Sequence, residues 1–213
     1  MNKKEIKIKT PEVAVDIVIF NLINYKLHVL LIKMSKQPYL NKWALPGGLL
    51  KIEESLDNAA LRNLQECTSV KDVYLRQFYT FGEPTRDVTK HVVSIGYFAL
   101  LHNPKLKIIN DPRYLDINWV DINSLPELAY DHEQIIKTAI KHLRNELEYT
   151  NIVFKLLPKE FTLKELQIIH EIILDKKLDK RNFRKQIFLR NIIKETNKVR
   201  INGKYRSRLY TVI

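Results

Sequence analysis

A glycine pair, Gly47–Gly48, is followed by Glu53 and Glu54 and then by Arg62, Leu64 and Glu66 within a segment of helical period. This series restricts the fold more than any other, because it prescribes a strand, a tight loop and a helix in succession. From Ser55 to Cys67 the apolar residues Leu56, Ala59, Ala60 and Leu64 recur at helical spacing, which predicts an amphipathic helix. "ALPGGLL" ahead of it reads as a strand broken by a double-glycine turn. Positions 63, 66 and 67 are spaced i, i+3 and i+4 and share one helix face. Asn63, Glu66 and Cys67 stand there.

Further strands are predicted at "VAVDIVIFNL" (13–22) and "LHVLLIKM" (27–34), joined as a hairpin by "INYK". Others are predicted at "VYLRQFYTFG" (73–82), "VVSIGYFALL" (92–101) and "LDINWVDI" (115–122). "DHEQIIKTAIKHLRNEL" (131–147) reads as a helix with Asp131 as N-cap. Pro158 then interrupts the helical pattern. Beyond it Thr162 and Glu165 stand at capping-box spacing, Asp179 is a second N-cap, and two β-rich segments flank Asn202-Gly203. We therefore expect an α+β protein: residues 1–150 as a mixed sheet with helices packed on it, and residues 151–213 as a winged helix-turn-helix.

Charge divides the chain in the same place. Residues 151–213 hold sixteen Lys and Arg against six Asp and Glu, whereas residues 1–150 hold twenty against eighteen. A basic C-terminal part points to a polyanionic partner, or to a merely solvated basic surface. Apolar content of 45% argues for a folded protein, and a single cysteine excludes an intrachain disulfide. No apolar run approaches the roughly 18 residues of a membrane span, and the basic start has no signal core behind it. The expectation is a cytoplasmic protein.

The 44–70 stretch resembles the Nudix box of hydrolases acting on nucleoside diphosphates: Gly48, Glu54, Arg62, Leu64, Glu66 and Val70 match it in spacing. Asn63, Cys67 and Ser69 depart from it. The resemblance implies a Nudix α/β/α sandwich and, in active members, carboxylates on the helix face holding Mg²⁺. Asn63 offers a neutral carbonyl and Cys67 a soft sulfur, both poor ligands for a hard cation. Glu53, Glu54 and Glu66 remain as a vestigial metal site, so no metal is expected to be required and any Mg²⁺ is expected to bind weakly. The resemblance also implies that Glu54 and Arg62 brace the loop by a salt bridge. Cys67 reads as a small packed hydrophobe.

Candidates for ligand binding lie beyond the box. Arg86, Asp87, Lys90 and His91 fall between predicted strands, where a loop can meet a diphosphate or ribose. Tyr39, Trp43 and Phe81, with Phe78, offer aromatic faces; the alternative is ordinary core or rim. In "DKRNFRKQIFLRN", Phe183 and Ile187 mark a buried stripe, while Lys180, Arg181, Arg184 and Lys185 mark a cationic arc suited to the major groove. Asn182 can read adenine or cap a turn, Thr162 joins the candidates for DNA contact, and Phe188 falls unexplained within the cationic arc. Lys204, Arg206 and Arg208 on the hairpin suit phosphate contacts from a wing.

A degenerate Nudix box followed by "FTLKELQ" and "KRNFRK" resembles the Nudix-related transcriptional regulators of bacteria. That resemblance implies a homodimeric repressor on a palindromic operator. Members controlling NAD metabolism bind ADP-ribose, and related members controlling sugar utilisation bind a pentose such as arabinose. Two rivals stay open: an active ADP-ribose pyrophosphatase using Glu53, Glu54 and Glu66, and a protein whose basic tail binds RNA.

Overall fold

The computed structural model describes residues 10–68, 70, 73–102, 106, 108–109 and 111–213; the basic start at residues 1–9 and Ser69 lie outside the described residues. The first two apolar runs form β1 (Glu12–Ile23) and β2 (Lys26–Met34), an antiparallel hairpin. Its turn residues Asn24 and Tyr25 both have left-handed φ, 49° and 59°, which matches the twist of the paired strands. Then come β3 (Trp43–Ala44), β4 (Gly47–Leu49), α1 (Leu56–Cys67), β5 (Tyr74–Phe81), β6 (Val92–Leu101), β7 (Tyr114–Asp121) and α2 (His132–Tyr149).

One mixed sheet runs β3-β2-β1-β6-β5, with β4 added to β1 and β7 to β2. The central β1–β6 pair is parallel. Its strands are covered on both faces, which is why their sequences are apolar without alternation. Val15, Ile17 and Ile19 of β1 pack with Ala59, Ala60, Leu64 and Cys67 of α1. Val18 and Phe20, pointing the other way, pack with Ile135, Ile136, Ala139 and Leu143 of α2. This is the α/β/α layering that the box implied.

Two local expectations need correction. The glycine pair makes no turn: the chain bends at Leu45–Pro46, and Gly47 and Gly48 lie inside β4, paired with Asp16 and Val15. Glycine is needed at 47 for close approach, since a Cβ there would lie 2.5 Å from the Val15 carbonyl and 2.6 Å from Asp16 Oδ1. Asp131 does stand at the N-cap of α2, yet its side chain makes no capping bond. A guanidinium has claimed it instead.

After α2 a 3-10 turn, η1 (Ile152–Leu156), leads to α3 (Leu163–Leu174), α4 (Lys180–Leu189), β8 (Ile193–Asn202) and β9 (Tyr205–Val212). The Thr162–Glu165 capping box is complete, and Asp179 Oδ1 accepts the Asn182 N–H at 2.7 Å. Gly203 takes the left-handed φ at the β8–β9 turn. Phe161 exchanges two backbone hydrogen bonds with Tyr210, which ties the start of α3 to the hairpin and completes a winged helix.

The winged helix is not a bead on a string. Leu143 and Leu147 of α2 share one apolar cluster with Val153, Leu156, Phe161, Leu166, Ile169, Phe183 and Ile187. Arg144 Nε donates to the Ile173 carbonyl at 2.8 Å, and Arg190 reaches the Leu147 and Thr150 carbonyls. Among the described residues no helix is long and apolar enough to cross a membrane.

Candidate functional site

The Nudix-box residues come together around α1, but their polar groups are already engaged. Arg62 donates to both oxygens of Glu54, at 2.7 and 2.9 Å, so this pair braces the loop. Those hydrogen bonds hold the Glu54 carboxyl at about 2. Glu66 meets Arg113 at 2.6 Å and Arg62 at 3.5 Å. Arg113 also binds Asp111, and these two hydrogen-bonded carboxylates raise its pKa. The Asn63 amide turns back to its own helix, donating to the Ala59 carbonyl at 2.8 Å, while its Oδ1 crowds Gly48. Cys67 is buried, and burial pushes its thiol up to about 12, so it packs rather than reacts. Glu53 stands exposed on a left-handed backbone.

These residues do not fit a Mg²⁺ ion. The cation wants several anionic oxygens, whereas Glu54 ahead of the helix and Glu66 on it both face guanidinium groups, and positions 63 and 67 carry an amide and a thiol. Among the described residues no group of three or more His, Cys, Asp and Glu is arranged to hold a metal.

A second cluster lies across the sheet, at the N-terminus of α2. Arg86 is not on an open loop, as its position between strands led us to expect; it is only 8% exposed. Its Nη2 binds Asp16 Oδ2 at 2.9 Å and Asp131 Oδ1 at 2.7 Å, and its Nε binds Asp131 Oδ2 at 3.1 Å. Ser94 Oγ donates to Asp16 at 2.6 Å. His132 Nδ1 meets the Leu45 N–H at 2.8 Å, and its Nε2 stands 3.5 Å from Asp16 Oδ1. Burial alone would raise the Asp16 carboxyl, but His132, Arg86 and Ser94 together hold it at about 2.

Beside this cluster Tyr39 packs on Tyr130 with ring centroids 4.1 Å apart, and Tyr130 in turn meets His132 at 4.9 Å. Burial first, then the charge of Asp87, pushes the Tyr130 phenol up to about 12. Both tyrosines are half-buried on the α1 side of the sheet and form an aromatic wall, their rings tilted by 44° to one another. Trp43 is half-buried in β3, with Lys33 Nζ 5.9 Å from its ring. Phe81 is not an open aromatic face for a ligand, as its candidacy required: it is buried in the core with Val18 and Phe98, and half-buried Phe78 packs against it. Asp87 accepts from the Thr89 N–H and hydroxyl, Lys90 pairs with Glu12, and His91 is exposed.

Sequence reasoning missed Asp16, Tyr130, His132 and Arg113. Asp16 had a readable signal, a lone carboxylate within the apolar run "VAVDIVIF", since a buried charge demands a partner.

The winged helix carries the third cluster. Phe183 and Ile187 are buried, and His170 stacks edge-on against Phe183 at 5.1 Å, joining α3 to α4. Lys180, Arg181, Asn182, Arg184 and Lys185 are all exposed. An open groove of about 1620 Å³ runs between α3, α4 and the β8–β9 hairpin, lined among others by Lys164, Lys180, Arg184, Lys204 and Arg206. Arg208 is exposed but faces Glu195 at 3.1 Å. Thr162 borders the groove, yet its hydroxyl serves the capping box and is nearly buried. Phe188 is half exposed, with its ring 6.0 Å from Tyr210.

Comparison with known proteins agrees with both halves. Residues 10–143 match the NUDIX domain, and residues 153–212 match the NrtR DNA-binding winged helix domain. A protein of Acinetobacter baylyi named "ADPR responsive transcriptional repressor NtrR" is 35% identical over 205 residues, covering 94% of this chain and 82% of its own. The crystal structure of Shewanella oneidensis NrtR complexed with a 27mer DNA superposes with a TM-score of 0.82 at 32% identity, covering 94% of this chain and 93% of that one. An ADP-ribose pyrophosphatase of Methanocaldococcus jannaschii is 34% identical over 131 residues, covering 62% of this chain and 74% of its own. A Nudix sandwich with a degenerate box, fused through one core to a winged helix of this type, places the chain in the NrtR family of Nudix-related transcriptional regulators.

Proposed function

We propose that this chain is an ADP-ribose-responsive repressor that acts in the bacterial cytoplasm as a homodimer on palindromic operator DNA. The observation that carries the reading is the contrast between two sites: a cationic groove on the winged helix, and a Nudix helix face where Asn63 and Cys67 replace carboxylates and Glu66 is held by Arg113. The first suits a polyanionic duplex. The second suits a receptor that leaves its ligand intact. Names of relatives, an ADPR-responsive repressor and a DNA-bound NrtR, support the same assignment.

In this reading Tyr39 and Tyr130 present their faces to the base, with Trp43 and Gly48 near the sheet end and Asp87, Lys90 and His91 on the adjoining loop. Arg86 holds Asp16 and Asp131 in place behind them and acts as a positioning residue. No metal is required, and any Mg²⁺ binds weakly. Lys180, Arg181, Asn182, Arg184 and Lys185 face the major groove, while Lys204, Arg206 and Arg208 meet phosphates.

Calorimetry with ADP-ribose, NAD and arabinose tests the effector, together with an assay for ADP-ribose cleavage at millimolar Mg²⁺. The expected result is saturable ADP-ribose binding, negligible turnover, and a change in duplex affinity when ADP-ribose is added. Preference for the pentose would replace the nucleotide effector. The pyrophosphatase reading draws on the archaeal relative, and turnover of several per second, an ordinary enzyme rate, would establish it against ours.

A further inference from the structure

The β1–β2 hairpin projects a tyrosine where a hairpin disfavours one. Asn24 and Tyr25 both sit at left-handed φ, the geometry for which Asn-Gly is the preferred pair because a Cβ at the second position is strained. Burial does not explain the choice, since Tyr25 is 71% exposed. Its position does: Tyr25 lines the same groove as Lys164, Arg184, Lys204 and Arg206, although it belongs to the Nudix sheet. The hairpin tip is braced, as Lys26 Nζ binds Asp121 at 2.9 Å.

We propose that Tyr25 is a DNA contact contributed by the Nudix part of the chain, its phenol meeting the sugar-phosphate backbone of a duplex seated in the groove. This rests on the reading of the winged helix as DNA-binding, because the groove's cationic lining is what makes a duplex the occupant. It also gives the hairpin a second task. β1 carries Asp16 of the buried cluster at one end and leads to Tyr25 at the other, so a shift of the sheet relative to α3 moves a residue that touches DNA.

The decisive variant is Tyr25→Gly, which creates the favoured Asn-Gly turn and so separates strain from contact. Anisotropy on a duplex selected from a random library by the wild-type protein is expected to show affinity falling about three- to tenfold, the range of one neutral hydrogen bond. Thermal stability should be equal or higher, and ADP-ribose affinity unchanged. Because the phenol is neutral, the salt dependence of binding should keep its slope, whereas loss of a cationic phosphate contact lowers it by about one. Tyr25→Phe should reproduce most of the loss. Unchanged duplex affinity in Tyr25→Gly, beside a clear loss in Arg184→Ala, overturns the proposal while leaving the winged-helix reading intact. A lower melting temperature in Tyr25→Gly would assign Tyr25 to packing and overturn it too. If the wild-type chain selects no duplex, the DNA-binding reading fails and this proposal with it.

Discussion

Asp16 shows how much a single buried carboxylate governs in this sheet. It accepts from Arg86 and Ser94, faces His132 Nε2, and lies against the backbone of Gly47. Its carboxyl is held at about 2 in the folded chain, below the ordinary 3.8. A depressed carboxylate stabilises the fold fully above the ordinary value and loses that contribution as pH falls through the folded one. The difference corresponds to about 2 kcal/mol at neutral pH. Asp16→Asn should therefore be less stable than wild type by about that amount at pH 7, with the gap closing between about pH 4 and pH 2. Urea unfolding of both proteins across that range measures it, and a constant gap would show that the charge is not the stabilising feature. The sequence announced Asp16 by its polarity within an apolar strand, but not its partners. Arg86 and His132 lie 70 and 116 positions away, and only the β1–β6 register and the docking of α2 bring them together. Arg113, which meets Glu66 across 47 positions, was hidden for the same reason.

Elements were more legible than partners, because period and capping are local. The apolar spacing of Leu56, Ala59, Ala60 and Leu64 announces α1, and the Thr162–Glu165 and Asp179 caps announce α3 and α4. The glycine pair misled because its requirement is close approach, which depends on the strand alongside rather than on the turn. On α4 the burial of Phe183 and Ile187 turns Arg181, Arg184 and Lys185 outward, and in the proposed function this helix makes the base contacts and the hairpin the phosphate contacts. Arg184→Ala, removing a base contact, should cost about 1–3 kcal/mol per site and relax sequence preference. Lys204→Ala, removing a phosphate contact, should weaken all duplexes alike and lower the salt slope by about one. Titrations of matched and scrambled duplexes at several salt concentrations distinguish the two. Identical behaviour of both variants would mean that α4 does not read bases.

At the scale of the molecule, the charge asymmetry suggested two independent modules, whereas the packing joins them. The cluster that begins between β1, β6 and α2 continues without a break through η1 into α3 and α4. Sequence could not reveal this, because Leu147, Leu156 and Leu166 read equally well as the private core of either part. A chain ending at Tyr149 keeps the sheet, α1, α2 and the aromatic wall, but uncovers the C-terminal half of α2. Each large apolar side chain exposed there forfeits about 1.5–3 kcal/mol of burial. We expect such a chain to lose duplex binding, because the cationic groove is gone, to retain ADP-ribose binding, and to melt well below the full-length protein. Calorimetry, anisotropy and thermal melts of the two chains check all three. Equal melting temperatures would mean that the shared core contributes nothing across the junction. Retained affinity for a selected duplex would mean that DNA recognition does not reside in the winged helix. The stability result bears on regulation as well: α2 is fastened to α3, since Arg144 bonds the Ile173 carbonyl and Leu143 and Leu147 pack within the same cluster, and a shift of α2 would have to carry α3 with it. A flexible linker would let the two parts move independently, and effector binding would then have no mechanical route to the groove.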